Sequence, residues 1–504
     1  MSVLGDILDG GERVASHQPW PRVIVNSEGW ESASFLASDG RCTLLGLWGE
    51  RDCVHMALAV QDPLEIVILT LPCPDGTFPS VGRHHPPAIR LERTVADLFG
   101  LKPQGAVDTR PWLDHGRWGR RHPLGSTRAD AGAGESYAFL PVEGESLHQV
   151  PVGPVHAGII EPGHFRFTAH GETVVRLEER LGYTHKGIES LMAGADIAHA
   201  AKLAGRVSGD SAVAYAVAFA QAVESALAVT APPRAQWLRL LMLELERLAN
   251  HLGDIGAICN DASFAIMHAH CGILRERVLR AADAAFGHRL MRDRVIPGGS
   301  AADLDDAGIG AIRALVGEIR SRFPTLVQLY DSTPSLQDRT VAAGRLGAAL
   351  ARQFGAGGFV GRASGRQFDA RTLPGPLPYG QLEFQVATRA EGDVNARVWV
   401  RIDEVTQSLK LIDQVLQRLP GGATQAALPA RNEPREGVAL VEGFRGDILV
   451  WLRIGADARI ARCHLRDPSW FQWPLLEAAI EGNIVADFPL CNKSFNCSYS
   501  GHDL

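Results

Sequence analysis

Cysteine is scarce in this chain, with 8 residues in 504, and no two of them are spaced as CxxC. So few cysteines cannot form the disulfide framework of a small secreted domain. The missing spacing also argues against a zinc ribbon, a thiol–disulfide redox pair and a ferredoxin-type cluster. The composition therefore indicates a reduced globular protein.

An excess of positive charge and a long apolar run are also lacking. The formal net charge is −7, which provides no basic field for holding nucleic acid. A bilayer-spanning helix needs about 20 apolar residues. The best stretch, 212–229, is interrupted by Gln221 and Glu224, so we expect a buried helix there. The first residues include acids and no apolar core, so we expect no signal peptide.

Length and patterning predict more than one domain. A chain of 504 residues exceeds the size of one ordinary core. We expect an α+β domain at 1–120, a linker at 121–150, and a mainly α-helical domain at 151–504 with a small antiparallel β region. Short apolar runs predict strands within 32–72 and 438–465. Helical spacing predicts helices near 89–98, 176–192, 211–229, 233–257, 305–322, 336–353, 396–419 and 473–480.

The stretch 180–190 contains a candidate proton relay. His185 and Glu189 are four residues apart, so on a helix they would share one face. A histidine within reach of a carboxylate can pass a proton near neutral pH. The alternative is an ordinary solvated polar face.

A second candidate lies at 243–256. Glu244, Arg247, His251 and Asp254 form one stripe of a predicted helix. A buried stripe of four ionisable groups would require pairing and would indicate function, whereas an exposed one would be surface ion pairs. Burial decides between the two interpretations.

Two further segments carry weaker signals. Asp393 and its neighbour Glu391 suit a helix N-terminus electrostatically, which explains them without catalysis. In the tail, Cys491, Cys497 and His502 are soft ligands, but a closed metal site needs about four. Two ordinary thiols are the simpler interpretation.

Several strings indicate a family when they are taken together. They lie at 91–105, 108–113, 151–167, 176–194, 206–224, 244–257, 287–299, 361–371, 392–409 and 484–490. From about 151 to 504 the chain resembles the large subunit of membrane-bound group 4 nickel–iron hydrogenases of the formate hydrogenlyase type, which are related to the 49-kDa subunit of respiratory complex I. The front region is similar to the complex I 30-kDa subunit.

The departures from this family concern its metal ligands. The resemblance implies four thiolates from two CxxC pairs, and the matching positions here are Ser208, Ser211, Cys497 and Ser500. A serine hydroxyl stays protonated at neutral pH and is a poor ligand for a thiolate-type site. We therefore expect no nickel–iron centre and no cofactor held by this chain. His185 matches a histidine of the quinone site, but the tyrosine of that site has no counterpart in an ungapped alignment, so quinone binding stays open.

The resemblance implies a subunit of a membrane-associated, complex-I-like oxidoreductase on the cytoplasmic, inner face of the membrane. Its partners would be an iron–sulfur subunit resembling the complex I 20-kDa subunit, which carries the cluster, and antiporter-like membrane subunits. The polar interior of this subunit would act as a proton relay or would couple electron transfer to ion translocation. That interior would comprise His185, Glu189, Arg206, Glu244, His251 and Asp393.

Two alternatives remain. The fold would serve as a redox-silent scaffold if the former metal pocket is simply packed. A working hydrogenase with an unusual ligand set would lack three of the thiolates that such a site needs.

Overall fold

The N-terminal part of the chain is built on a five-stranded sheet of order β1-β3-β6-β5-β4. The structure, a computed structural model, describes residues 4–61, 64–126, 129–130, 136–157 and 160–504. It has two domains that both mix helix and strand. The first elements are α1 (Gly5–Asp9), β1 (Glu12–Arg13), β2 (His17–Gln18), β3 (Arg22–Ile24), α2 (Ser27–Ser38), β4 (Thr43–Gly49), β5 (Cys53–Gln61), β6 (Leu64–Pro72), β7 (Thr77–Pro79), α3 (Ile89–Phe99) and β8 (Lys102–Gln104).

Most of the predicted elements in this part are confirmed. β4, β5 and β6 form antiparallel pairs. α3 ends at Gly100, whose φ of 76° suits glycine. The predicted strand at 34–39 is wrong, because residues 34–38 lie in α2 and Asp39 follows its end. The side chain of Asn26 caps that helix, and Trp30, Ala33 and Ala37 are buried at helical spacing.

A three-stranded antiparallel sheet, β11-β12-β13, follows the front region. The predicted linker at 121–150 lies partly outside the described residues, at 127–128 and 131–135. The predicted helix at 176–192 is wrong, because its first half pairs with β12 and its second half is a turn followed by a short helix. The elements are β9 (Arg120–Arg121), β10 (Ala129–Asp130), β11 (Leu147–Val152), β12 (His164–His170), β13 (Thr173–Arg180) and α4 (Ile188–Met192).

Long helices form the centre of the chain, and α7 packs against α8 and α13. The helix α8 has no counterpart in the sequence prediction, and the predicted helix at 336–353 is two short ones. The elements are α5 (Ile197–Ala204), α6 (Ala212–Leu227), α7 (Pro233–Asp261), α8 (Ala265–Phe286), β14 (Val295–Ile296), β15 (Gly299–Ser300), α9 (Asp306–Ser332), α10 (Pro334–Thr340), α11 (Ala348–Gln353), α12 (Gly358–Ala363) and α13 (Val394–Arg418).

The C-terminal part completes a second sheet of order β18-β17-β16-β2. Its antiparallel strands confirm the prediction for 438–465. The front strand β2 joins it in parallel, with His17 opposite Glu436. The elements are β16 (Arg435–Gly443), β17 (Gly446–Ile454), β18 (Ile460–Arg466), α14 (Ser469–Ile480), α15 (Phe488–Phe495) and α16 (Tyr499–Asp503).

The two large sheets are held together by a small apolar core and by ion pairs. Trp48 and Ile68 of the first sheet pack with Trp451 of the second. Arg22 reaches Glu436 at 2.6 Å. Because the front strands contribute to both the core and the second sheet, the N-terminal part is a structural component of the C-terminal part.

Among the described helices, none combines the length and the apolar character that crossing a bilayer requires. α6, the most apolar candidate in the sequence, is buried along nearly its whole length against β16 and β17.

Gly437 of β16 tests the packing of α6 on this sheet. A Cβ at this position would lie 1.9 Å from the backbone oxygen of Ala222. We expect Gly437→Ala to lower the free energy of unfolding by about 3 kcal/mol or more, because a helix backbone must move. Thermal unfolding measures this, with Gly421→Ala as the control, since nothing lies within 4 Å of that position. Equal midpoints for the two variants would contradict the packing.

Candidate functional site

Two serines meet where the first predicted ligand pair lies. The hydroxyl oxygens of Ser208 and Ser498 are 2.8 Å apart, and Ser208 donates to Asp210 Oδ1 at 3.0 Å. Ser208 lies in the turn before α6, whereas Ser498 caps α16 and accepts from the backbone N–H of Gly501. We call Ser208, Ser211 and Ser498 the serine site.

An arginine closes this site. Arg445, in the β16–β17 turn, donates both Nη atoms to the carboxylate of Asp210 at 2.6 Å. It also donates to the hydroxyl of Ser211 at 3.3 Å. Burial would raise the pKa of the Asp210 carboxyl, but the guanidinium of Arg445 outweighs it and lowers the pKa to about 2. At neutral pH the serine site is therefore closed by a hydrogen-bonded ion pair between Arg445 and Asp210.

The tail contributes in a register one residue later than predicted. Ser498, not Cys497, touches Ser208, and the position three residues later is Gly501 rather than Ser500. Cys497 is buried, while the backbone N–H of Ser500 donates to Glu161. A Cβ on Gly501 would lie 2.8 Å from the Ser498 hydroxyl. Positions 498 and 501 are thus neighbours in space, and Asp467 lies closer still to the Cβ position of Gly501.

The stripe on α7 is buried, which decides the question that the sequence left open. Glu244, Arg247 and His251 are at most 1% exposed, and Asp254 is 5% exposed. Glu244 accepts from the hydroxyls of Tyr379 at 2.7 Å and Ser408 at 2.6 Å. Every member of the stripe therefore has a partner, as buried charges require.

Glu404 of α13 is the anionic centre of this network. It pairs with Arg362, with Arg247 at 3.5 Å and with Nε2 of His251 at 2.6 Å. Burial would raise the pKa of Glu404, but the charge of Arg362 outweighs it, and the pKa is well below its usual range. Burial lowers the pKa of His251, so the ring is neutral and donates Nε2–H to Glu404. Its Nδ1 is buried without a partner among the described atoms.

A chain of contacts links the stripe to the serine site. Asp254 pairs with Arg401 at 3.2 Å and accepts from Asn496 Nδ2 at 2.9 Å. The carbonyl of Asn496 accepts from Arg445, which holds Asp210. Polar groups therefore run from Ser208 to the interior of α7.

His185 faces a cavity of about 950 Å³. Its Nδ1 donates to the carbonyl of Asp503 at 2.7 Å, which leaves Nε2 as an acceptor. Trp118 lies beside the ring, with centroids 4.6 Å apart. The neighbouring Lys186 donates to the carbonyl of Val207 at 2.6 Å, so the His185 turn is tied to the serine site.

Glu189 does not form the predicted pair with His185. His185 lies in a turn before α4, so the two do not share a helix face. Glu189 instead bonds His464 and Arg462, each at 2.8 Å. Burial would raise its pKa, but Arg462 and His464 lower it to about 2. The structure makes Glu189 an anchor between α4 and β18.

Two other predicted residues lie outside the buried network. The side chain of Arg206 is 39% exposed and pairs with Asp293. Asp393 caps α13 by accepting from the N–H of Ala396 at 2.7 Å, and it also holds the N–H of Ala342. The helix-terminus interpretation of Asp393 is confirmed.

Comparisons with known proteins agree with this architecture. The chain matches the family models of the respiratory-chain NADH dehydrogenase 49 Kd subunit, over 264–438, and 30 Kd subunit, over 23–130. It is 33% identical over 444 residues to formate hydrogenlyase subunit 5 of Escherichia coli (strain K12), covering 84% of this chain and 77% of that protein. The chain belongs to the family of hydrogenase large subunits and complex I 49-kDa and 30-kDa subunits.

Two further proteins are similar to this chain over shorter stretches. An NADH-quinone oxidoreductase polypeptide of Syntrophobacter fumaroxidans is 30% identical, and the match covers 69% of this chain and 94% of that protein. A chain of the membrane-bound sulfane sulfur reductase, an archaeal respiratory membrane complex, superposes with a TM-score of 0.67 at 25% identity. That match covers 72% of this chain and all of that one.

The donors at the serine site do not fit the metal centre of the hydrogenase branch. Three hydroxyls and a glycine occupy the converging positions, and Arg445 places a guanidinium among them. The resemblance to the hydrogenases implies soft thiolate ligands, and serine hydroxyls, which stay protonated at neutral pH, are poor substitutes for them.

Sequence reasoning missed three residues that close this site. Asp210 lies between the predicted positions Ser208 and Ser211, and a carboxylate at this point of the sequence could have indicated that it belongs to the site. Arg445 and Asn496 had no local signal, because their partners are 235 and 242 residues away in the chain.

Replacing Glu404 tests the anionic centre. We expect Glu404→Gln to lower the free energy of unfolding by about 3–5 kcal/mol, because Arg362 and Arg247 lose a buried counter-charge. The neighbouring Asp403→Asn is the control: its pair with Arg389 is about one-third exposed, so we expect less than about 1 kcal/mol. Urea unfolding measures both, and a silent Glu404→Gln would contradict the assignment.

Proposed function

We propose that this chain is the hydrogenase-type subunit of a membrane-associated, complex-I-like oxidoreductase complex in which nickel–iron chemistry has been lost. The supporting observation is the Ser208–Ser498 contact beneath the Arg445–Asp210 pair, at the point where thiolates would be needed. Hydroxyls and an ion pair cannot replace thiolates toward soft metals.

The role that we propose for the retained interior is coupling of electron transfer to ion translocation. Supporting it, polar contacts extend from the serine site through Asp254, while His251 and Glu404 form a neutral histidine–anion pair beside it. A buried network of this kind responds strongly to a change of one charge, since the local dielectric is low. A change of charge in a neighbouring cluster would alter the electrostatic energy of these groups along α7.

The proposed partners follow from the relatives. Similar proteins include a component of a membrane-bound hydrogenase and a chain of an archaeal respiratory membrane complex. We propose that an iron–sulfur protein binds near His185, that antiporter-like subunits anchor the assembly, and that this chain is peripheral on the inner face of the membrane. The electron donor and the NAD site, if one operates, would belong to partner chains.

The His185 cavity favours this role over the alternative of a redox-silent scaffold. Its lining includes His115, Arg110 and Trp118, and Nε2 of His185 can accept a proton or a hydrogen bond there. Quinone is one ligand that such a cavity of aromatic and hydrogen-bonding groups would suit. The scaffold alternative is supported by the complete pairing of Arg445, Asp210 and Ser211.

Metal analysis tests the loss of the centre. We expect the purified complex to contain far less than one nickel ion per chain, even after expression with added nickel. A related hydrogenase that has all four thiolates, prepared identically, is the control. One nickel per chain of this protein would overturn the proposal.

Substitution of His185 tests the coupling role. We expect His185→Ala to slow the ion-pumping or quinone-linked rate of the complex by about 100-fold, since a positioned acid–base group typically contributes about 10²–10⁴-fold. His199→Ala, at an exposed position of α5, is the matched control and should retain the rate. An unchanged rate in assembled His185→Ala complexes would favour the scaffold instead.

A further inference from the structure

A second cluster of ligand-type side chains lies far along the chain from the serine site, in the β4–β5 hairpin. Glu50 and Cys53 flank the turn, which is closed by a backbone bond from Glu50 N–H to Cys53 O at 2.8 Å. His55 lies two residues after Cys53 on β5, so both side chains point to one face. One ligand atom of each of the three lies within 4.8 Å of the other two.

We propose that Glu50, Cys53 and His55 bind a zinc ion. The separations are 3.1 Å for His55 Nε2 to Glu50 Oε2, 3.7 Å for Cys53 Sγ to Nε2 and 3.9 Å for Sγ to Oε2. Zinc bonds of about 2.0–2.3 Å in tetrahedral geometry place ligand atoms about 3.3–3.6 Å apart. Small shifts therefore suffice to bring all three atoms to one ion.

The surroundings orient the ligands. His55 Nδ1 lies 2.9 Å from the hydroxyl of Thr70, which also accepts from Arg22. When Nδ1 donates to Thr70, Nε2 carries a lone pair that faces the Glu50 carboxylate, and a cation between them removes that repulsion. Arg453 donates to both oxygens of Glu50, to Oε2 at 3.0 Å and to Oε1 at 2.5 Å, as groups around a ligating carboxylate commonly do. Because each carboxylate oxygen has two lone pairs, Oε2 can bind zinc and keep this hydrogen bond.

The charges also permit a dication. Arg22 is paired with Glu436, and Arg453 with Glu50, so the arginines are already compensated. Coordination releases the Cys53 thiol proton to solvent, and the thiolate cancels one zinc charge. The carboxylate of the exposed Asp52 lies beside Cys53 in the turn and offsets the second positive charge of the zinc ion. Because Cys53 is partly exposed, a water can take the fourth position.

The ion would act as a clamp between the two sheets. Glu50 directly follows β4 of the N-terminal sheet, and its Arg453 partner belongs to β17 of the C-terminal sheet. A zinc ion bound to Glu50 would hold this carboxylate in place and would therefore stabilise its contact with Arg453. The proposal is independent of the role assigned to the serine site.

Zinc and cobalt loading of the purified full-length chain tests the site, without the iron–sulfur partner, whose cluster would absorb in the same spectral range as cobalt. After chelation, reloading and desalting, we expect one zinc per chain that Cys53→Ser loses and Cys42→Ser, at a buried thiol of the same domain, retains. With cobalt(II), wild type should show thiolate charge-transfer absorption and strong tetrahedral visible bands, both absent in Cys53→Ser.

Two results would overturn the proposal. One is equal zinc content in wild type and Cys53→Ser. The other is cobalt-loaded wild type without thiolate charge-transfer bands, which would make the cluster a hydrogen-bonded triad in which His55 donates Nε2–H to Glu50. The second readout uses the wild-type protein alone, so it holds even where a variant fails to fold.

Discussion

Pairing of buried arginines is the constraint on which the centre of this protein depends. Arg239, Arg247, Arg362, Arg397 and Arg401 are all fully buried. An unpaired guanidinium in such a place is unfavourable by several kcal/mol, so each must meet carboxylates or carbonyls in fixed geometry. These contacts set how α7, α12, α13 and the β16–β17 hairpin approach one another. The fold is therefore determined as much by charge complementarity as by apolar packing.

The serine site is one end of that charge system. At the positions where the resemblance to the hydrogenases implies thiolates, this chain has hydroxyls, and Arg445 with Asp210 fills the space between α6 and the hairpin. The members of these buried pairs depend on one another, because removing one would leave its partner uncompensated. The proposed loss of a metal centre is thus compatible with the polar interior that this chain has.

Much of the fold could be predicted from periodicity. α6, α7 and α13, and strands β16 to β18, have clear helical or alternating patterns. The helix predicted from residue 176 is wrong at 176–180, because a short amphipathic run fits the period of a helix and that of a strand equally well. These residues form a strand because they pair with β12. In the site, Ser208, Ser211 and the α7 stripe were visible in sequence. Ser498 and Arg445 were not, because contacts over more than 200 residues decide which tail position points inward.

The parallel pairing of β2 with β16 has a consequence for biosynthesis. His17 leaves the ribosome more than 400 residues before its neighbour Glu436. Until β16 and β17 have been translated, β2 has no strand to join, and the hydrophobic face around Trp48 lacks its cover. Such delayed, non-local closure is slow and leaves a nascent chain prone to association with others. The first hundred residues therefore have to stay separate from other chains until these later strands have been made.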